Sequence, residues 1–302
     1  MTELTNPFVS VIIPVFNDSK RLEICLKILQ EQTYPQSLYE IIVVDNGSKE
    51  NIEAVVNQFS QATIAHESRQ GSYAARNKGI SLAKGEIIAF TDSDCVPATN
   101  WIENGVKSLQ SVPNCGLAAG RIDLFFKDAN NPTPVELYES IEMSFPQQRS
   151  LEKQNYGVTA NLFTFKSVID SVGLFDDTLK SCGDRQWGQR VFAAGYKQIY
   201  ADDVFIAHPA RDSFDELYKR VTRIVGGRYD LLKKNSKSSL EVIKDLLMAF
   251  KPPFRSFYRI WSNEKLQGNK QKLQFTFVML FVRYVSTWER VRLQFGGEPK
   301  RG

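Results

Sequence analysis

The sequence predicts an α/β fold: a mainly parallel, twisted sheet with helices on both faces, followed by a basic helical extension. Short β-branched runs alternate with segments of helical spacing, and carboxylates follow the ends of two of these runs. Charge is divided unevenly. Residues 1–210 have a net charge of −7, whereas residues 211–302, with 20 Lys and Arg against 9 Asp and Glu, have a net charge of +11. We therefore predict two domains with these boundaries, the second aromatic-rich.

Four strands are predicted in the first part of the chain, over residues 9–15, 39–44, 63–66 and 86–90. Helices are predicted between them, over residues 18–32, 51–59 and 73–83. Right-handed crossovers make such strands parallel and cover both faces of the sheet. Ligands then gather at the carboxyl ends of the strands. Phe16, Asp45 and Asp92 each lie just past one of these ends, so we expect them to meet along one edge.

Beyond residue 115 the alternation of strand and helix signals is less regular. We predict a strand over 116–126, a helix that ends near Gly195, a last strand over 204–208 and a basic helix over 212–232. The segment 127–157 begins with a polar, proline-containing stretch and is interpreted as loop.

The tail holds an aromatic-rich, basic segment over residues 273–295. Its longest uninterrupted apolar run, 277–282, is far shorter than the ~20 residues that span a bilayer, so no transmembrane helix is predicted. Tyr284 and Trp288 suit the headgroup layer of a membrane, and the neighbouring arginines suit anionic lipid. Basic residues also lie among aromatic ones before this segment, at Lys251, Arg255 and Arg259. Peripheral membrane contact is therefore predicted; the alternative is a helical pair that packs on the sheet domain or on a second subunit.

Composition argues against several classes of protein. The four cysteines form no Cys-x-x-Cys pair, which fits neither a zinc site nor a disulfide framework and favours a reducing cytoplasm. Residues 1–7 lack an apolar leader. The basic tail does not indicate nucleic acid, because the sequence has no recognition helix, zinc finger or RNA-binding motif.

The segment Gly85–Asp94 holds the strongest chemical signal. The apolar run 87–90 predicts a buried strand, and Asp92, Ser93 and Asp94 follow it. Two carboxylates at a strand end repel each other unless a cation lies beside them, and hard oxygen ligands suit Mg²⁺ or Mn²⁺. We predict that Asp94 coordinates such an ion, which in turn holds a diphosphate. Asp92 is predicted to contact a ribose or a metal-bound water, in an enzyme that uses a nucleotide-activated donor.

Six segments carry a resemblance to a known family. They are Val11–Asn17, Ile41–Ser48, Ala75–Gly79, Asp92–Asp94, Gly173–Asp176 and Gly183–Asp184. In this order and spacing the chain resembles the family 2 glycosyltransferases of the bacterial type, over roughly residues 7–210. The resemblance implies the GT-A nucleotide-diphospho-sugar transferase fold, with residues 1–210 as the catalytic domain.

The resemblance implies that the ends of the first two strands bind the donor nucleotide. Phe16 would stack on the base, Pro14 belongs to the same site, and Asp45 would contact the base, usually uracil. Stacking on an aromatic face contributes about 1–3 kcal/mol and tolerates different bases. The alternatives are a core position for Phe16 and a turn-forming role for Asp45.

Gly71 and Arg76 belong to the start of a predicted helix. Gly71 would let the backbone approach the donor, and a helix N-terminus favours anions. Arg76 would reach the diphosphate or anchor the Asp-Ser-Asp loop, with a solvated charge as the alternative. Ser93 is assigned to the same donor site.

Inverting transfer is a single in-line displacement in which one carboxylate takes the proton of the acceptor hydroxyl. The resemblance implies that Asp184 is this general base, and that His208 is a further metal ligand, although a lone His is more often structural. The chain departs from the family at two positions: Gly183 replaces the usual acid before Asp184, and Gln186 lies where a second acid is common. Trp187 either offers a face to a sugar ring or lies in the core. Because of these departures, the resemblance does not identify the acceptor.

Together these features predict an inverting, metal-dependent glycosyltransferase of the hexosyltransferase type. It would move a sugar from a UDP-sugar to a hydroxyl of a glycan or lipid-linked saccharide in cell-surface polysaccharide synthesis, at the inner face of the plasma membrane. One alternative has a polyprenyl phosphate as acceptor. A nucleotidyltransferase would need a Gly-rich basic loop, which Pro14–Asn17 does not supply. A non-catalytic scaffold with a degenerate site is the third alternative, and the intact aspartates argue against it.

Overall fold

The computed structural model describes residues 6–234 and 253–299. Its residues form two compact units. The first lies within Met1–Asp123, Phe145–Thr178 and Gly183–Pro209, and the second within Leu124–Ser144, Leu179–Cys182 and Ala210–Gly302. The predictions that involve residues 235–252, Lys251 among them, lie outside the described residues.

An eight-stranded sheet organises the first unit, in the spatial order β3-β2-β1-β4-β7-β6-β8-β5. Its strands are β1 (Val9–Val15), β2 (Tyr39–Asp45), β3 (Ala62–His66), β4 (Ile87–Thr91), β5 (Val96–Pro97), β6 (Cys115–Phe125), β7 (Asn161–Phe165) and β8 (Lys197–Pro209). The strands β1 to β4 pair in parallel, as the alternating pattern predicts. β7 is antiparallel to β4 and β6, and β5 is antiparallel to β8, so the other half of the sheet is mixed.

Eleven helices of more than one turn are described. They are α1 (Ser19–Gln30), α2 (Ile52–Val56), α3 (Ser72–Leu82), α4 (Trp101–Ser111), α5 (Pro134–Glu142), α6 (Gln147–Gln154), α7 (Lys166–Val172), α8 (Gly183–Ala193), α9 (Phe214–Lys234), α10 (Phe254–Trp261) and α11 (Gly268–Gln294). Within the described parts of the chain, none of them combines the length and apolar character needed to cross a membrane.

The central strands are buried on both faces, which is why they read as continuous apolar runs. Val11 and Ile13 of β1 belong to a cluster that includes Leu22 and Leu26 of α1. Ile12, which alternates with them, is also completely buried. This part of the sheet therefore has a buried core on each side.

The second unit is a helical assembly with its own core. α11 packs against α9, α5 and α10. Buried side chains of this core include Val135, Leu217, Ile260, Phe275 and Val278. The rings of Tyr138 and Phe275 lie 5.1 Å apart.

The interpretation of segment 127–157 as loop was wrong, because α5 and α6 lie in it. α5 begins with a capping box: the Thr133 hydroxyl accepts from the Glu136 backbone N–H, and the Glu136 carboxylate accepts from the Thr133 backbone N–H. Pro134 occupies the first helical position, where a missing N–H costs nothing. The proline that suggested a loop is therefore part of a helix start.

Candidate active site

The carboxyl ends of three neighbouring strands bring the predicted donor residues to one edge. In the parallel register, Val15 of β1 lies opposite Asp45 of β2, and Ile12 of β1 lies opposite Phe90 of β4. Phe16 directly follows β1, and Asp92 directly follows β4. Pro14 lies inside β1. These are the positions at which α/β sheets bind ligands.

Hydrogen bonds connect the loops after β1 and β2. The Asn46 N–H donates to the Val15 carbonyl at 2.9 Å. The Asn17 N–H donates to the Ser48 hydroxyl at 2.8 Å, and the Asn17 side-chain carbonyl accepts from the Lys49 N–H at 2.7 Å. Asn17 has a φ of +50°, a left-handed conformation that Asn tolerates better than most residues. These hydrogen bonds therefore hold the loops after β1 and β2 together at the carboxyl edge of the sheet.

The Asn46 side chain positions the start of α3. Its carbonyl oxygen accepts from the Gly71 N–H at 2.6 Å, and its amide donates to the Glu67 and Arg69 carbonyls, each at 2.9 Å. Gly71 has a φ of +144°, a conformation that side chains strongly disfavour. Sequence reasoning treated Asn46 only as part of a turn. Asn46 directly follows Asp45, and its buried side-chain amide binds the Gly71 backbone. It therefore helps to position these two candidate site residues.

Phe16 and Asp45 occupy contrasting environments. The Phe16 side chain is 56% exposed, so the alternative of a core position was wrong and its ring is accessible for stacking. Asp45 is buried, and its Oδ1 accepts from the Ser48 N–H at 3.0 Å. The other oxygen lies 3.5 Å from Nδ1 of the exposed His66. Asp45 therefore forms the turn hydrogen bond that the alternative interpretation predicts. Its other oxygen remains available to accept a hydrogen bond from a further donor.

Arg76 is buried and forms an ion pair with Asp92. Its guanidinium lies 5.9 Å from the centre of the Tyr73 ring, within range of a cation–π interaction. Of the two predicted arrangements, this contact is the one that anchors the Asp-Ser-Asp loop, and it is not a solvated charge. The Ser93 hydroxyl donates to Oδ2 of Asp18 at 3.3 Å. The loop is therefore held at both its first and its second residue.

Asp94 lies beside His208. Nε2 of His208 is 3.5 Å from Oδ2 of Asp94, and its Nδ1 is 2.8 Å from the Pro209 carbonyl. A carbonyl can only accept, so the proton of a neutral imidazole belongs on Nδ1 and Nε2 keeps its lone pair. A lone pair on buried Nε2 beside a carboxylate could hold a metal ion. Among described residues, the ligand atoms of Asp94, Cys95 and His208 lie within 4.8 Å of one another.

The two nearby thiols are poor ligands for a hard ion. Cys25 and Cys95 are completely buried. Burial raises the pKa of both thiols well above the ordinary value, and the negative charges of Asp94 and Asp92 raise the two pKa values further. Protonated thiols do not coordinate Mg²⁺ or Mn²⁺, which prefer oxygen. The oxygen and nitrogen donors of Asp94 and His208 are of a kind that would suit Mn²⁺.

Asp18 is a third carboxylate at this site that the sequence did not assign to it. Burial raises its pKa, and the charge of Asp94 raises it further, while Arg21 at 2.7 Å lowers it. The Asp18 side chain does not cap α1. Its proximity to Asp94 adds negative charge where a cation would be held.

Asp184 lies in the first turn of α8. Its Oδ1 accepts from the Arg185 N–H at 2.8 Å and from the Tyr73 hydroxyl at 3.4 Å. Burial raises the pKa of Asp184, partly offset by these hydrogen bonds and by Arg76, while Asp92 raises it slightly. A carboxylate with a raised pKa is a better proton acceptor near neutral pH. The proposed base therefore lies within electrostatic reach of the Arg76–Asp92 pair.

Gly183 explains one departure from the family pattern. A Cβ at this position would lie 2.7 Å from the Tyr73 ring, a distance too short for any side chain. Tyr73 also stacks on Phe175, with ring centres 5.8 Å apart. The chain thus combines a glycine before Asp184 with a tyrosine hydroxyl that donates to the Asp184 carboxylate. An acid at position 183 would require Tyr73 to move.

Trp187 is a core residue, so its alternative role as a sugar platform was wrong. It is completely buried, its indole N–H donates to the Gly173 carbonyl at 3.0 Å, and its ring lies 5.2 Å from Phe175. Phe175 is also fixed by Asn77, whose side-chain amide donates to its carbonyl and accepts from its N–H. These contacts fix α8, and with it Asp184, against α3.

A cleft of about 330 Å³ lies in the same unit. Planar polar and aromatic side chains line it, among them Arg121, Phe145, Gln148, Arg149 and Tyr200. The Phe145 ring packs against the His208 ring, with centres 5.0 Å apart. One lining residue of the cleft therefore contacts the candidate metal ligand. Planar polar groups and aromatic faces suit the hydroxyls and the apolar face of a sugar ring.

Comparisons with known proteins agree on one family. The profile of glycosyl transferase family 2 matches residues 10–172. The chain is 41% identical over 229 residues to glycosyltransferase AglE of Haloferax volcanii, and the match covers 74% of each chain. It is 22% identical over 226 residues, and 70% of each chain, to the dolichyl N-acetyl-alpha-D-glucosaminyl phosphate 3-beta-D-2,3-diacetamido-2,3-dideoxy-beta-D-glucuronosyltransferase of Methanococcus voltae.

A solved structure shows the same fold. It is the mannosyltransferase PcManGT from Pyrobaculum calidifontis, in complex with GDP-Man and Mn²⁺. The two structures superpose with a TM-score of 0.60 at 20% sequence identity, and the match covers 95% of this chain and 85% of that chain.

Proposed function

The chain belongs to glycosyltransferase family 2, with the GT-A fold, and we propose that it is an inverting, metal-dependent member that takes its sugar from a UDP-sugar. Its activity is glycosyl transfer in glycan synthesis. The observation that carries the finer proposal is the pair formed by Asp94 and His208 at the carboxyl edge of the sheet, 3.5 Å apart. The neighbouring Arg76–Asp92 pair fixes the loop that presents Asp94.

In this proposal the strand ends hold the donor. Phe16 offers its exposed ring to the base, and Asp45 with Pro14 lies beside it. The first turn of α3, which directly follows Gly71, presents backbone N–H groups to the diphosphate. Asp94 and His208 hold Mn²⁺ or Mg²⁺. When bound, the ion neutralises charge on the leaving nucleotide diphosphate.

Asp184 performs the proton transfer. It accepts the proton of an acceptor hydroxyl while that oxygen attacks the anomeric carbon of the donor sugar. The bond between that carbon and the diphosphate oxygen breaks in the same step, so the configuration inverts. The raised pKa of Asp184 supports this role, because a weakly acidic carboxyl accepts a proton more readily.

The acceptor side of the proposal rests on the cleft beside His208. Its planar polar and aromatic side chains would bind the sugar ring that carries the attacking hydroxyl. The name of the Methanococcus voltae relative includes a dolichyl-linked acceptor, which favours a lipid-linked saccharide here too. Such an acceptor would place the reaction in cell-surface polysaccharide synthesis, with the protein peripheral at the inner face of the plasma membrane.

Slow donor hydrolysis, followed by NMR, tests the reaction. UDP-sugars and GDP-mannose would be compared, because the similar mannosyltransferase was solved with GDP-Man. We expect an α-linked UDP-sugar to release the β-anomer, and only with Mn²⁺ or Mg²⁺ present. Asp94→Ala should abolish hydrolysis, whereas Asp170→Ala, at an exposed position on α7, should not. Release of the α-anomer would exclude inversion. Hydrolysis of no sugar nucleotide would favour the scaffold alternative.

A polyprenyl-phosphate acceptor is distinguished by the base. Phosphate is already anionic and needs no proton removed, so an enzyme of that kind would keep most of its transfer activity after Asp184→Asn. The half-buried Asp184, with the Tyr73 hydroxyl and the Arg185 N–H on one oxygen, favours a hydroxyl acceptor.

A further inference from the structure

α11 of the second unit is apolar on two opposite faces. One face enters the core of that unit through Phe275, Val278, Met279, Val285 and Leu293. The other carries five large side chains, Leu273, Phe277, Leu280, Tyr284 and Trp288, and Phe295 directly follows the helix. These six side chains are 43–88% exposed. Their spacings of three, four or seven residues place them on a single face of the helix. We refer to these six residues as the outer stripe.

Exposed apolar surface of this kind is unusual on a soluble protein. A helix that is apolar all round is normally covered on every side. The outer stripe extends over 23 residues, from Leu273 to Phe295, which corresponds to about 33 Å along the helix axis. α10 repeats the feature with Phe254, Tyr258 and Trp261, which are 45–78% exposed. Contiguous patches of this size mark interaction sites.

The charges beside the outer stripe favour an anionic partner. All residues of α10 and α11 are described, and the two helices contain seven Lys and Arg against one acid, Glu289. Glu289 is completely buried and forms an ion pair with Arg292 at 2.6 Å. The two helices therefore carry an excess of positive side chains, although Arg259 forms an ion pair with Glu142 of α5.

Two occupants could cover this surface, a lipid bilayer or a second copy of the chain. If α11 paired with itself in a second copy, it would bring two positively charged helices together without an opposing acid. An anionic bilayer supplies the opposite charge. It also suits Tyr284 and Trp288, whose amphipathic rings are favoured at the headgroup level. The inner face of α11 is committed to its own core, so the helix would lie along the membrane surface.

We propose that the outer stripe of α11, together with the exposed aromatic residues of α10, binds the surface of an anionic lipid bilayer. The aromatic side chains would enter the boundary between headgroups and acyl chains, while flanking Lys and Arg contact the anionic headgroups. This inference rests on exposure and charge alone. It holds or fails independently of the reaction that the first unit catalyses.

Co-sedimentation of the full chain with vesicles tests the proposal. One set of vesicles contains phosphatidylcholine alone, and the other contains phosphatidylcholine mixed with phosphatidylglycerol. The test variant is Phe277→Ser/Trp288→Ser. The control variant is Ile24→Ser/Phe192→Ser, which removes two similarly exposed apolar side chains from helices of the first unit. Circular dichroism verifies that both variants are folded, and no sugar nucleotide is present.

We expect the wild type and the control variant to bind the anionic vesicles, less tightly at high salt. The test variant should bind at least about tenfold more weakly, because two interfacial side chains are lost. Equal binding by the test and control variants would overturn the proposal. Failure of the wild type to bind anionic vesicles would also overturn it. A wild-type dimer that the test variant converts to a monomer, without vesicle binding, would identify a second copy as the occupant.

Discussion

The carboxylates of the two units show how different the surroundings of an acid can be. In the second unit, Glu139 is completely buried, and three donors surround it. Oε1 accepts from Arg220 at 2.7 Å and Arg211 at 3.2 Å, and Oε2 accepts from the Arg211 N–H at 2.9 Å. In the first unit, the contacts of Asp94 are longer. His208 is 3.5 Å from one oxygen, and the Cys95 thiol is 3.9 Å from the other.

This difference distinguishes Glu139, a structural acid, from Asp94, an acid that is available to a ligand. Burial alone would raise the pKa of Glu139, but Arg220 and Arg211 lower it, so its charge is satisfied within the protein. Burial lowers the pKa of Arg220 to about 10, and the charge of Glu139 partly offsets this shift. The site carboxylates Asp18 and Asp184 have raised pKa values instead. Their negative charge is incompletely balanced, as expected where a cation or a proton is to be received.

The largest effect is expected for Asp184→Asn. Loss of the base should lower kcat by about 10²- to 10⁴-fold. Because the folded protein raises the pKa of Asp184, its ionised form is disfavoured there at neutral pH, and the neutral Asn should increase the unfolding temperature. Transfer assays and thermal unfolding measure the two effects, with Asp170→Asn as the control. A variant that loses activity and stability together would indicate a structural role.

Glu139→Gln should affect stability and leave chemistry unchanged. Removing one partner of a buried ion pair costs about 3–5 kcal/mol, because the arginines remain buried without their counter-charge. Urea unfolding at neutral pH measures it. Glu142→Gln on the same helix is the control, since Glu142 pairs with the exposed Arg259 and such pairs contribute at most ~1 kcal/mol.

The pH dependence supplies an independent check on Glu139. Its pKa is lowered from 4.5, so its stabilising contribution is present above pH 4.5 and is lost as the pH falls through the lowered value. The wild type should therefore lose its stability advantage over Glu139→Gln in acid. An advantage that persists unchanged there would contradict the closed ion cluster.

A smaller effect is expected for His208→Ala. Loss of the second ligand should weaken Mn²⁺ binding by about 10- to 100-fold, as measured by electron paramagnetic resonance. The matched control is His66→Ala, at the other histidine of the chain, which lies beside Asp45 and should not alter the affinity for the ion. Equal Mn²⁺ affinity in wild type and His208→Ala would assign His208 to the protein core alone.

The smallest effect is expected for Tyr73→Phe. The Tyr73 hydroxyl lowers the pKa of Asp184, so its removal should raise that pKa further. The base must be ionised to act. The acid limb of the kcat profile should therefore move to higher pH, while activity at high pH is retained. A shift to lower pH would contradict the assigned contact between Tyr73 and Asp184.

The fold and the donor edge could be predicted because their signals are local. Continuous apolar runs identify strands that are buried on both faces, and polar residues at their ends mark where the ligand site forms. β1 to β4 and the positions of Phe16, Asp45 and Asp92 followed from these runs. The GT-A fold and the family membership are confirmed, whereas the roles of the individual site residues remain predictions.

The supporting contacts could not be predicted, because they join residues that are distant in sequence. Asn46 reaches Gly71, Tyr73 reaches Asp184, and Glu139 reaches Arg220. None of these pairs leaves a periodic or spacing signal. One error was avoidable: the sequence Thr133-Pro-Val-Glu136 carries a capping box with proline at the first helical position, and it predicts α5.

Calorimetric titration of nucleotides tests the central claim, that Asp94 and its neighbours form a metal-dependent donor site. UDP, GDP and CDP would be titrated into the wild type and Asp94→Ala, with Mn²⁺ and with a chelator. The account predicts that UDP binds tightly only with Mn²⁺, and that Asp94→Ala abolishes this binding without lowering the unfolding temperature. UDP binding that survives both the chelator and the substitution, or no nucleotide binding at all, would contradict it.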